Sequence, residues 1–382
     1  MLGMIGAGFG FERGDGRLLV IAGIYLALFV VYFYLGRGER VDRVGLKRIA
    51  GFGLLFNILL IFVWNLTSDD LYTYIYRGRI LSKHGDNPYV VNYDTFRYED
   101  MWYEEIRTVW SDKTAIYGPV AILIDGAVTQ LGEDNLGLTI YLYKIVYAAV
   151  NIACGVLVLL ISKSRRAFYL YLWNPVILFE LVGNNHNDLF MIFFMLLGFY
   201  FLFTKKAIRG SALGVAFFSL SVLSKYTSAL VMPVAALYDI RRRRSLRGRA
   251  AALGLWMVIF SILVLVCYLP FLSETGVFDR LLSVGSAVTN APSPALLVMS
   301  RGAGRLILAV CIFTVYFLAL TRKIDKRRVI VYSALIYGSL FMFGLGLFLP
   351  WYLTILIALL AIIESGWIYA VSLLSIGIYL WV

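Results

Sequence analysis

Residues 49–76 read IAGFGLLFNILLIFVWNLTSDDLYTYIY, an apolar span that runs straight into Ser68-Asp69-Asp70-Leu71-Tyr72. The run 49–66 holds no charged residue, and an uncharged apolar stretch of about 18 residues reads as a helix in a bilayer. Two adjacent carboxylates at the mouth of such a helix are costly to desolvate, so they mark a functional site. The other motifs are weighed by whether they fall on the same side of the membrane as that pair.

Composition agrees. Of 382 residues, 61% are hydrophobic and 15% charged, against about 25% charged in a soluble domain, and the mean hydropathy is +0.81. The fold class expected is an all-α integral membrane protein with about 11–13 transmembrane or partial-span helices, forming one transmembrane domain over residues 1–382. The net charge of +12 does not point to nucleic acid, because the basic residues sit in short loops between apolar spans. Cys154, Cys267 and Cys311 lie inside apolar stretches and read as small hydrophobes, neither a disulfide framework nor a metal site. Residues 1–16 show no basic start followed by a cleavage pattern, so no signal peptide is expected. The sequon Asn65-Leu66-Thr67 reads as chance so close to the membrane.

Apolar spans predict helices near 18–35, 49–66, 137–161, 168–182, 188–203, 211–223, 226–238, 250–271, 304–321, 329–349, 352–363 and 367–382. Several are shorter than the roughly 20 residues a full span needs; the four between 168 and 238 are read as lining a cavity. The loops 36–48, 162–167, 204–210, 239–249 and 321–328 hold 22 of the 35 Lys and Arg but only Glu39, Asp42, Asp239 and Asp325 of the acids. By the positive-inside rule they are cytoplasmic. That places 67–115, 183–187, 224–225, 272–303 and Pro350-Trp351-Tyr352 outside, with 116–131 as a re-entrant or interfacial helix on the external face. The protein is thus expected to be multi-pass in the plasma membrane, with its functional residues external.

Adjacent carboxylates raise each other's pKa, which suits proton transfer. On a helix, Asp70, Tyr74 and Arg77 share a face, although Ser68 or Asp69 could equally serve as an N-cap. His84-Gly85-Asp86-Asn87-Pro88-Tyr89 reads as a turn, open to a loop-shaping or a substrate-contacting role; Tyr117-Gly118-Pro119 reads as structural. Gly183-Asn184-Asn185-His186-Asn187-Asp188 places more polar side chains between two apolar helices than a turn requires. His186 and Asp188 are thin for zinc, and hydrogen bonding to a sugar or phosphate fits better. Lys225 interrupts the apolar stretch 211–238, where a lysine either snorkels or meets an anion.

Taken in order, Ser68-Asp69-Asp70-Leu71-Tyr72-x-Tyr74, Arg77-Gly78-Arg79, Asn87-Pro88-Tyr89, Tyr117-Gly118-Pro119, Asn174-Pro175, Gly183-x-x-His186-Asn187-Asp188, Lys225-Tyr226 and Pro350-Trp351-Tyr352 resemble the polytopic glycosyltransferases of the class C (GT-C) fold. The likeness is greatest to the polyprenol-phosphate-mannose-dependent mannosyltransferases. The resemblance implies a polyprenyl-phosphate-linked sugar donor, with mannose the leading sugar. It implies a glycolipid, glycan or other hydroxyl acceptor on the external side, and an inverting displacement. It also implies an Asp general base followed four residues on by an aromatic, which selects Asp70 with Tyr74 and leaves Asp69 as partner. It assigns Lys225 and Arg77 to the donor phosphate, and His186, Asn187 and Asp188 to the sugar site. Tyr74, His84, Asn87, Tyr89, Trp351 and Tyr352 are candidates for sugar or acceptor contacts. No metal or other cofactor is expected. The competing reading is a transporter or flippase of a lipid-linked sugar or small anion; unusual polar residues gathered on one side disfavour it.

Overall fold

The computed structural model describes residues 16–38, 40–64, 67–204, 207–272, 294–297, 299–344 and 349–381. The expected external loop 272–303 falls mostly outside these residues, as do Asn65-Leu66 of the sequon and residues 1–15.

The described residues are helices joined by short connections, with no strand among them. Among the described residues, three helices are long and apolar enough to cross a membrane: Leu136–Ser162, Leu246–Phe271 and Arg301–Thr321. Ile177–Gly183 and Asp188–Thr204, bent by 113°, make a fourth if they count as one broken span. Shorter apolar helices, among them Ile208–Ser224 and Pro350–Ile362, fill the remainder of the bundle. Side-chain oxygens start several of them, satisfying amides that a helix leaves unpaired. Asn135 accepts from Leu138 N–H, Ser164 from Arg166 and Ala167, Ser300 from Ala303 and Asp325 from Arg328.

The basic loops 204–210, 239–249 and 321–328 are tied together. Arg241 Nη1 donates to the carbonyls of Ala319, Leu320 and Arg322, closing the C-terminus of the Arg301–Thr321 helix. Buried Asp239 takes Arg242 Nη2 at 2.6 Å and Trp256 Nε1 at 3.1 Å, and Arg242 also donates to Leu202 O and Ser211 Oγ. On the N-terminal half, Tyr169 Oη donates to Tyr32 O while Tyr32 Oη donates to Leu170 O, and the two rings stack at 5.5 Å. Arg166 lies 4.0 Å from Glu364, so the turn after Leu353–Ile362 reaches the basic loop 162–167.

At the end away from these loops the helices Asp70–Ser82 and Pro119–Gly132 pack side by side. Gly78 makes the approach possible: a Cβ there would strike the Asp125 carbonyl and the Thr129 hydroxyl. Gly118 N–H donates to Ser224 O at 3.2 Å, and a Cβ on Gly118 would run into the Leu223 carbonyl. That contact gives Tyr117-Gly118-Pro119 its shape: backbone on backbone, then Pro119 in the first helical turn, where its missing N–H costs nothing. Pro119–Gly132 therefore starts beside Ser224 and leads directly into Leu136–Ser162, whose Lys144 still reaches Gly183 O at 2.7 Å. Both ends of the short helix lie at the end of the bundle away from the basic loops.

Candidate active site

Asp70 opens the helix Asp70–Ser82. Its own N–H donates to Ser68 Oγ at 3.2 Å, whereas Asp69, the residue before the helix, makes no capping bond. Ser68 thus does the local work at this terminus and leaves both carboxylates for other partners. One turn on, Tyr74 Oη donates to Asp70 Oδ2 at 3.3 Å, as the i, i+4 spacing allows. His186 Nδ1 lies 3.2 Å from the same oxygen. Asp70 Oδ2 is thereby held from two sides, and no hydrogen bond to Oδ1 occurs among the described residues.

Burial pushes the Asp70 carboxyl up, but the hydrogen bond from His186 and the charges of His186, Arg77 and Lys225 outweigh it. The group is held below the ordinary carboxylate value. Asp69 goes the other way, raised by burial and by the neighbouring Asp70 charge.

The break between Ile177–Gly183 and Asp188–Thr204 supplies His186. The first segment is a π-type helix, and the wide turn is seen in the bonds Asn184 N–H to Phe179 O and His186 N–H to Glu180 O, 2.8 and 3.1 Å. Such wide turns recur at functional sites. The imidazole is buried and stacks on Trp351 at 3.8 Å between centroids. Asn184 ties the break to the segment before Asp69, accepting from Thr67 N–H at 2.9 Å and donating to Thr67 Oγ1 at 2.8 Å.

Two cations lie near one aromatic ring. The Lys225 ammonium lies 5.8 Å and the Arg77 guanidinium 5.0 Å from the centre of the Tyr117 ring, and Lys225 is also 4.6 Å from that of Tyr352. Ring faces attract cations in this way. Lys225 Nζ donates to Asp188 Oδ2 at 2.7 Å. Arg77 is buried, and its Nε and Nη1 have no hydrogen-bond partner among the described residues. The amide groups of Asn185 and Asn187 are likewise buried without partners. Orphaned donors and acceptors in such number are rare in a settled interior. They are the groups with which a site takes up the hydroxyls or phosphate of a ligand.

The structure therefore gathers Asp70, Tyr74, Arg77, His186, Asn187, Asp188, Lys225, Trp351 and Tyr352, with Asp69 at the rim. His84 and Asn87 have partners of their own. His84 Nε2 sits 2.9 Å from Asp100 Oδ2 and its ring stacks on Phe96; Arg79 grips the same carboxylate through two bonds of 2.7 and 2.9 Å. Asn87 accepts from Tyr89 N–H and donates to Phe271 O. Tyr89 is buried and donates to Tyr117 O at 2.8 Å, bracing that residue from behind. Sequence reasoning gave Tyr117 a structural role only and gave Glu180 none. The signal for Glu180 was readable, an acid alone in an apolar segment; nothing in the sequence announced that two cations lie near the Tyr117 ring. Among the described residues no group of three or more His, Cys, Asp or Glu is arranged to hold a metal ion.

A helical membrane protein with a carboxylate–imidazole pair, two cations and unpartnered amides at one end of the bundle is the class these features define. A profile of the family described as "Alpha-(1->6)-mannopyranosyltransferase, N-terminal domain" matches residues 10–241, and the chain belongs to that family. Alpha-(1->6)-mannopyranosyltransferase A of Corynebacterium glutamicum is 26% identical over 61% of this chain and 48% of its own length. The B protein of the same organism is 22% identical over 52% of this chain and 32% of its own length. Alpha-(1->6)-mannopyranosyltransferase A of Mycobacterium tuberculosis is 24% identical over 55% and 40%. The chain thus spans about half or less of the length of the curated relatives it matches. No solved structure matches. The family agrees with the resemblance read from the motifs, and its match includes every gathered residue except Trp351 and Tyr352.

Proposed function

We propose that this chain is a mannosyltransferase that takes its sugar from a polyprenyl-phosphate donor and passes it to an acceptor hydroxyl at the external face of the plasma membrane. The observation that carries the reading is the Asp70 carboxylate, with Oδ2 fixed by Tyr74 and His186, Oδ1 without a hydrogen bond among the described residues, and the Lys225 charge acting on it. In this reading the acceptor hydroxyl gives its proton to Asp70 Oδ1 as its oxygen attacks the anomeric carbon. The bond from that carbon to the phosphate oxygen breaks, its electron pair leaves with polyprenyl phosphate, and the configuration inverts. Lys225 and Arg77 offset the growing charge on the leaving phosphate. His186, Asn187, Asp188 and Asn185 line the sugar site, with Trp351 and Tyr352 closing it. The relatives' names favour an α-(1→6) linkage, hence the primary hydroxyl of an acceptor hexopyranose.

Sidedness rests on the basic loops lying at the helix ends away from the site, together with the positive-inside rule. The test is reconstitution in vesicles with radiolabelled polyprenyl-phosphate-mannose and a mannosylated acceptor. Label in the acceptor supports the reading; label that crosses the bilayer still attached to its donor, with none transferred, replaces it with transport.

A further inference from the structure

Glu180 lies in the π-type segment Ile177–Gly183 and is fully buried. A carboxylate in such a place costs several kcal/mol unless it has partners. Two of its partners point toward the site: Asn184 Nδ2 donates to Oε2 at 3.2 Å, and His186 Nε2 lies 3.4 Å from the same oxygen. In a regular α-helix, residues six apart are turned about 120° away from one another. Here the wide turn brings Glu180 and His186 to one side. The contact with Nε2 has the distance of an ion pair without the alignment of a hydrogen bond, so Glu180 acts on the ring chiefly through charge. The other ring nitrogen faces Asp70 Oδ2, and Trp351 covers the ring face. A carboxylate, an imidazole and a second carboxylate thus stand in line, the first of them at the proposed reaction centre.

We propose that Glu180 is a positioning residue for sugar transfer: through His186 it holds the Asp70 carboxylate with Oδ2 engaged and Oδ1 turned toward the acceptor. The inference rests on the transferase reading above for its consequence, though not for its geometry. Burial pushes the His186 pKa down, but the hydrogen bond with Asp70 and the charges of Asp70 and Glu180 more than reverse this and raise it above the ordinary imidazole value. A ring that keeps its proton binds both carboxylates; a ring that loses it can donate to only one. Other groups facing this line are Tyr74 and Arg77 on the Asp70–Ser82 helix, Asp188 with Lys225, and Lys144 at Gly183 O. Tyr25, on the N-terminal helix, faces Glu180. None of these changes in the variant below.

The test compares wild type with Glu180→Gln and Glu180→Asp, reconstituted and assayed across pH. Glu180→Gln keeps the size and a partner for Asn184 but removes the charge. The expected result is a fall in kcat of roughly tenfold to a hundredfold, with KM for the donor within about twofold, and an alkaline limb of kcat that moves to lower pH. Glu180→Asp is expected to keep the wild-type limb with an intermediate kcat. The protein has two histidines, so NMR of imidazole-labelled protein follows His186 directly: its titration moves to lower pH in Glu180→Gln. An unmoved His186 titration, or a loss of kcat equal at every pH, overturns the proposal. A wild type that transfers no sugar defeats the transferase reading instead, and the His186 titration still decides whether Glu180 holds the ring.

Discussion

Lys225 Nζ is 2.7 Å from Asp188 Oδ2, and the two residues come from opposite ends of consecutive helices, Asp188–Thr204 and Ala207–Ser224. A lysine inside an apolar stretch is costly unless it snorkels or meets such a partner. The ammonium also lies near the Tyr352 and Tyr117 rings, and its charge acts on Asp70 together with that of Arg77. A lipid phosphate arriving at Lys225 meets a cation already in place, with Asp188 as the counter-charge it must share or displace.

Removing that cation is expected to weaken use of the donor. Hydrogen bonds to charged groups contribute about 1.5–3 kcal/mol. Lys225→Gln should therefore lower kcat/KM for the lipid-phosphate donor by roughly tenfold to a hundredfold, with the acceptor KM little changed. Steady-state kinetics against donor concentration checks this; an effect confined to the acceptor KM would assign Lys225 elsewhere.

The two adjacent carboxylates make opposite predictions for the pH profile. A general base works deprotonated, so activity falls as pH drops through its pKa. If Asp70 is the base, the acid limb lies below the ordinary carboxylate value, because its imidazole and cation neighbours hold it down against burial. If Asp69 is the base, burial and the Asp70 charge place the limb above that value. A profile of kcat/KM against pH separates the two, and Asp70 is expected.

Arg79 and Asp100 form a buried bidentate pair that His84 joins from the other side, and Trp102 lies 3.8 Å from the guanidinium. Breaking a buried pair by removing one partner costs about 3–5 kcal/mol. Arg79→Met is expected to lower stability by roughly that amount, read as a drop in Tm. Removing His84 by His84→Phe should cost less, since the ring still stacks on Phe96.

Gly78 and Gly118 are sites of close backbone approach, to Asp125 and to Leu223. Gly78→Ala and Gly118→Ala are each expected to destabilise by about 1–3 kcal/mol, the cost of forcing atoms into a packed contact. Gly23, where a Cβ would meet open space, serves as the control: Gly23→Ala should leave Tm unchanged or slightly higher.

Much of this arrangement was legible in the residues. Apolar spans gave the helices, because desolvation is read directly from composition. The Tyr74 spacing gave its bond to Asp70, because i, i+4 geometry is local. Contacts across the chain were not legible: Trp351 on His186 and Glu180 behind it depend on a π-type turn, which carries no sequence signature of its own. Motif reading also grouped His84 and Asn87 with the site from their place in the same loop. The fold gives His84 to Arg79 and Asp100, and Asn87 to Tyr89 and Phe271. Position along a loop does not specify which face a side chain takes.

The most direct measurement is sugar transfer and donor binding by reconstituted wild type and Asp70→Asn side by side. The isosteric change keeps an acceptor for Tyr74 and removes the carboxylate that would take the proton. The account expects labelled mannose to reach the acceptor with wild type, and Asp70→Asn to bind the polyprenyl-phosphate-mannose donor with unchanged affinity while transfer falls by at least a hundredfold. Transfer by Asp70→Asn at the wild-type rate would contradict it.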